Sequence, residues 1–86
     1  MDPHEIQRLM KIIQAKLNNG RLPHNCIPRI WGGPGNGESC DACEVVVTPP
    51  EFIMEGIAAE GGGGVQFHVR CFYLWDALRS VPAPTT

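Results

Sequence analysis

Apolar residues Ile6, Leu9, Met10, Ile13 and Leu17 recur at steps of three and four, the spacing that lines them up on one face of a helix. In front of them, Asp2 can accept from a free amide, Pro3 suits the first helical position and Glu5 stands at the capping-box spacing. Gly20, just past Asn18 and Asn19, is a C-terminal stop. The pattern predicts a helix over 3–19. Near the other end, Val65, Phe67 and Val69 alternate with Gln66 and His68, the period of a strand. Helical spacing then returns with Cys71, Leu74, Trp75 and Leu78, which predicts a terminal helix ending near Ser80.

The middle of the chain is less periodic. From 20 to 37, Pro23, Pro28 and Pro34 are interleaved with Gly32, Gly33, Gly35 and Gly37, so a loop is expected, anchored to the core by Leu22, Ile27, Ile30 and Trp31. Val45–Val47 reads as a short strand. Thr48-Pro49-Pro50-Glu51 is either a turn between strands or the box that opens a second helix. A strand over 52–58 is preferred, because Gly56 weakens a helix and a hairpin has to follow. Gly61–Gly64 form its turn, and 82–86 a Pro-containing tail. These elements amount to one domain over 1–81, with the core in 38–80. The expected class is α+β: an N-terminal helix packed on short antiparallel hairpins and a C-terminal helix.

Composition sharpens the problem of stability. A chain of 86 residues with ten glycines and eight prolines is near the small end of what one apolar core can hold together. A staple is expected, and the four cysteines decide of which kind. The polar opening Met1-Asp2-Pro3-His4-Glu5 has no signal-peptide pattern, and no stretch nears the roughly 20 apolar residues of a membrane span. A reducing cytoplasm is therefore the expected location, where cysteines serve as ligands or free thiols more often than as disulfides.

Cys40-x-x-Cys43 and His68-x-x-Cys71 form two pairs separated by 24 residues. Two cysteines three apart in a tight turn can aim both sulfurs at one point, and Gly37 lets the chain make that turn. Residues three apart at a helix start share a face, so His68 and Cys71 can converge on the same ion. Four nitrogen and sulfur donors suit tetrahedral zinc and fill its shell, so one structural Zn2+ is expected on Cys40, Cys43, His68 and Cys71. The competing readings are a redox pair at Cys40 and Cys43, and a core histidine at His68. Cys26 and His24 are alternative ligands in principle; a loop cysteine packed beside Ile27 is the preferred reading.

Cys40-x-x-Cys43, a hairpin, and Phe67-His68-Val69-Arg70-Cys71-Phe72 together resemble the first finger of LIM-type and related treble-clef zinc fingers. The resemblance covers Gly35 to about Ser80. Nearly the whole chain also resembles small uncharacterised bacterial zinc-binding proteins, in which an N-terminal helix and Gly20-Arg21-Leu22-Pro23 precede a Trp31-Gly32-Gly33-Pro34-Gly35 knuckle. It implies the ligands and a treble-clef-like fold. No cysteines follow Cys71, so the second LIM finger is missing and LIM-type partner binding is not implied.

Charge and the remaining motifs narrow the function. The net charge of −2 opposes a general polyanion binder. Residues 1–29 nevertheless hold Arg8, Lys11, Lys16, Arg21 and Arg29 against Asp2 and Glu5, which allows a local basic face. The glycines of 32–37 lack the Gly-Lys-Ser/Thr ending of a phosphate loop. No nucleophile–base pairing and no open metal position is visible, so no enzyme is expected. The preferred function is a protein-interaction or regulatory module using Arg8, Lys11, Arg21 and Trp31 as its surface. For Trp31, packing under the N-terminal helix is the competing and preferred placement. The alternatives are a nucleic-acid-binding regulator and a thiol-based redox or metal sensor.

Overall fold

The computed structural model describes residues 2–25, 27–58 and 63–79, in the order α1 (Pro3–Asn18), β1 (Arg29–Pro34), β2 (Glu38–Ser39), β3 (Val46–Val47), β4 (Phe52–Ile57), β5 (Gly64–His68) and α2 (Val69–Arg79). The class is α+β. The expectations for Cys26, the first half of the 61–64 turn, the end of the last helix at Ser80 and the 82–86 tail lie outside the described residues.

Helix α1 forms where its periodicity places it. Asp2 Oδ1 accepts the His4 amide at 3.1 Å, which satisfies one of the free N–H groups of the first turn. Beyond the helix, His24 Nε2 donates to the Leu17 carbonyl at 2.7 Å. Leu9, Ile13 and Leu17 are buried, and α1 packs against α2.

Strands β1, β4 and β5 make an antiparallel sheet in the order β1-β4-β5, with β4 central. Ile53 lies opposite His68 and Met54 opposite Phe67 across β4 and β5. Alternation along β5 turns Phe67 to one face and His68 to the other. Phe67 stacks on Trp75 of α2 with ring centroids 5.4 Å apart. The Trp75 indole N–H donates to the Pro23 carbonyl at 2.9 Å and so ties the loop after α1 to α2. Leu22, Ile53, Phe67, Cys71 and Trp75 share one core with the buried stripe of α1.

Three expectations are corrected. Residues 20–37 are not all loop, because Arg29–Pro34 is a strand paired with β4 from Arg29 opposite Ile57 to Pro34 opposite Phe52. Ladder hydrogen bonds need only backbone, so a segment with little strand propensity can still pair, and an edge position tolerates the proline. Gly56 makes this pairing feasible: a Cβ there would stand 2.6 Å from the Arg29 carbonyl oxygen and from Ile27 Cγ2. Trp31, expected under α1, is instead 50% exposed on β1, beside an exposed Ile30. The last helix also starts two residues before Cys71, so Val69 belongs to α2 rather than β5.

Thr48–Glu51 is a turn and opens no helix. Glu51 Oε1 accepts from the Thr48 hydroxyl at 3.0 Å, and the Glu51 amide donates back to the Thr48 carbonyl at 2.8 Å. Only half of a capping box is present, Glu51 Oε1 accepting the Thr48 amide at 3.4 Å, and β4 follows because Phe52–Ile57 finds partners on both sides.

Candidate metal centre

Cys40 and Cys43 lie in the connection between β2 and β3, whose register pairs Glu38 with Val47 and Ser39 with Val46. Gly37, at φ 87°, lets the chain enter this hairpin, and its amide donates to the Val47 carbonyl at 2.9 Å. Inside the turn the Cys40 amide donates to the Val45 carbonyl at 3.0 Å, and the Glu44 amide to the Cys40 carbonyl at 2.9 Å. Glu44 adopts the left-handed conformation, φ 65°, that the tight turn demands. His68 is the last residue of β5 and Cys71 lies in the first turn of α2. The strand-to-helix junction therefore delivers the second pair.

The tertiary structure brings these four residues together. Their donor atoms all lie within 4.8 Å of one another, close enough to hold a metal ion. His68 Nδ1 is 3.3 Å from Cys43 Sγ and 4.0 Å from Cys71 Sγ. A tetrahedron with metal–sulfur bonds of about 2.3 Å and metal–nitrogen bonds of about 2.0 Å has edges of roughly 3.5–3.8 Å, so the two His68–sulfur spacings lie within about half an ångström of such an edge and the widest donor pair within about 1 Å. None of the three cysteines is in a disulfide.

The surroundings settle which nitrogen of His68 faces the cluster. Nε2 is 3.3 Å from the Val46 carbonyl oxygen, which can only accept, so Nε2 carries the proton. That leaves the Nδ1 lone pair for the sulfur side. It is the Val46 carbonyl that orients the ring, as a backbone acceptor behind the imidazole, while Glu51 Oε2 stands farther off, 3.7 Å from the same Nε2 and 3.5 Å from Arg70 Nη1. The Thr48 hydroxyl and amide hold the Glu51 carboxyl below the usual carboxylate range.

The thiols are unequal. Cys40 is pulled down to about 4, chiefly by the hydrogen bond from the Cys71 thiol, with further donation from the amides of Cys43, His68 and Ala42 outweighing its burial. Cys71 is pushed up because its proton is held by Cys40, and burial adds to this. Burial, then the Cys40 charge, pushes Cys43 up. Of the three thiols only Cys40 is shifted toward the thiolate, and a bound cation would favour the charged form of all three.

The pH dependence follows. Cys43 and Cys71, both raised, are protonated in the metal-free protein at neutral pH and must lose those protons to bind. The metal-bound state thus holds fewer protons, and acid favours the metal-free one. With at least two protons released, and three where the metal-free chain unfolds, affinity should fall by about a hundredfold or more per pH unit on going from 7 to 6. Competition against a chromophoric chelator at both values measures it; equal affinities would contradict the thiol assignment.

Three residues around the site were not picked out by sequence patterns. Asp41 clamps the turn to β5, its amide donating to the Gln66 carbonyl at 2.7 Å and its Oδ2 accepting the Gln66 amide at 2.8 Å. Glu51 carried a signal in its spacing from Thr48. Lys16 carried one as well. It lies three residues after Ile13 and one before Leu17, on the apolar side of α1, and is only 9% exposed.

The proposed contact residues lie apart from the cluster. Arg8 and Lys11 are exposed on α1 and Trp31 on β1. Arg21 lines a polar cleft with Lys16, Ser39, Asp41 and Glu44. Lys16 faces inward, so it contributes nothing to a basic outer face of α1. His24, bonded to Leu17, is not among the four clustered donors.

Fold and cluster define a small α+β protein with a Cys3His site able to hold a metal ion. Compared with protein-family models, curated proteins and solved structures, the chain matches none of them. No helix among the described residues is long and apolar enough to cross a membrane.

Proposed function

We propose that this chain is a non-enzymatic, treble-clef-like zinc protein of the cytoplasm, acting as a protein-interaction or regulatory module. One Zn2+ would be held by Cys40, Cys43, His68 and Cys71. The observation that carries the proposal is the convergence of four nitrogen and sulfur donors, from a hairpin turn and a helix start, within 4.8 Å of one another. Three sulfurs and one imidazole favour zinc over hard oxygen-seeking cations. Four protein donors complete a tetrahedral shell, which leaves no position for substrate and supports a structural role. The order of elements, a ligand turn followed by the β4–β5 hairpin and a helix bringing the second ligand pair, supports the treble-clef reading. Exposed Ile30 and Trp31 on the edge strand β1 support contact with another protein.

Native mass spectrometry of protein purified without chelator should find one zinc per chain, lost on denaturation. Protein that is folded and free of zinc would sink the proposal.

A further inference from the structure

The Lys16 ammonium has three N–H donors and meets three acceptors. Its Nζ lies 2.9 Å from the Asp41 carbonyl oxygen, 2.9 Å from that of Ala42 and 3.1 Å from Glu44 Oε2. All three belong to the turn that carries Cys40 and Cys43. A carbonyl and the N–H of the same planar peptide unit point in opposite directions. Gripping the carbonyls of 41 and 42 therefore fixes the N–H groups of Ala42 and Cys43 on the other side of the turn that carries the two sulfurs. The arrangement runs from ammonium through two peptide dipoles to the turn of Cys40 and Cys43.

Charge gives this geometry a purpose. A divalent ion with three thiolates and a neutral imidazole leaves one net negative charge in the core. Lys16 is the one charged residue among the buried polar side chains of the described residues; the other is His68 itself. Uncompensated charge in such surroundings is costly, and a hydrogen-bonded cation nearby removes the cost. We infer that Lys16 is the positioning residue of the metal centre: acting through the Asp41 and Ala42 carbonyls, it holds the turn that carries Cys40 and Cys43 and, shared with the exposed Glu44 carboxylate, places a buried cation behind the loaded site. Because Lys16 belongs to α1, the same contact couples docking of the N-terminal helix to metal occupancy. This inference rests on the metal reading above.

The test compares wild-type protein with Lys16→Met, which keeps an unbranched apolar stem and removes the ammonium with its charge and donors. Loss of a hydrogen-bonding partner behind a metal ligand typically costs about 10–100-fold in affinity, so zinc should pass from Lys16→Met to a chelator at least about tenfold faster than from wild type. With Co2+ as probe, the sulfur-to-metal charge-transfer band should move to lower energy in the variant, because thiolates without compensation give up an electron more easily. A simple helix anchor would lower the melting temperature and leave the band in place, and that result overturns the inference. Should Lys16→Met fail to fold, wild type decides alone: NMR of 15N-labelled lysine should show a slowly exchanging ammonium at Lys16 in zinc-loaded protein, and its absence overturns the inference. A wild type that takes up neither Zn2+ nor Co2+ refutes the metal reading itself, a different outcome from normal uptake that is unchanged in Lys16→Met.

Discussion

Removing the metal should unfold this protein. Cys40 and Cys71 are buried members of the main core, beside Ala42, Val47 and Phe67, so the site and the core are one structure. Binding of structural zinc in small domains is worth about 10–16 kcal/mol at neutral pH. A typical domain has a net stability of only about 5–15 kcal/mol. Subtracting the first from the second leaves little or nothing to hold the metal-free chain, which must then also bury protonated thiols where ligands stood. Circular dichroism should show helix signal lost on adding a strong chelator and restored by Zn2+. Cys71→Ser should do the same without chelator, since it removes the ligand at the core side of the cluster. A chelated protein that keeps its melting transition would refute a structural role for the site.

Trp75→Ala should be the most damaging change outside the ligands. Trp75 is buried, stacked on Phe67, 5.7 Å from the Phe72 ring centroid, and hydrogen-bonded to Pro23. Truncating a buried aromatic to alanine costs about 3–5 kcal/mol through lost transfer energy and the cavity left behind. Here the Pro23 carbonyl also loses its donor. At roughly 4 °C or more per kcal/mol in a domain of this size, the melting temperature of the zinc-saturated protein should drop by at least about 12 °C. Trp31→Ala is the internal comparison. The same residue type, half exposed on an edge strand, should cost about 1 kcal/mol or less. Calorimetry of both variants checks the pair; equal losses would contradict the placement of Trp31 on the surface.

Helix α1 was legible because one face is apolar at helical spacing and both ends carry stop signals, so local forces and packing agree. Strand β5 and helix α2 were legible for the same reason, except that the junction fell at His68 and Val69 rather than nearer Cys71. Strand β1 was not legible. Arg29–Pro34 contains two glycines and a proline, and its strand character comes from the backbone of β4, which no local pattern records. Trp31 was misplaced along with it, since a tryptophan in an expected loop gives no sign of which side it faces.

The four candidate ligands could be named from spacing alone, because a turn and a helix start each bring residues three apart onto one point. Their partners could not. Lys16 reaches the carbonyls of the cysteine turn from 25 and 26 residues away, Asp41 joins that turn to Gln66 across 25 residues, and Glu51 meets His68 from the far end of a hairpin. Hydrogen bonds of that kind have no sequence period.

By itself, then, the sequence determined the two helices, the hairpin strands and the identity of the four donors, all consequences of short-range geometry along the backbone. The tertiary structure decided the convergence of those donors, the use of His68 Nδ1, the edge strand beneath Trp31 and the inward turn of Lys16. These depend on segments far apart in the chain meeting at hydrogen-bond distance, which only the packed fold specifies.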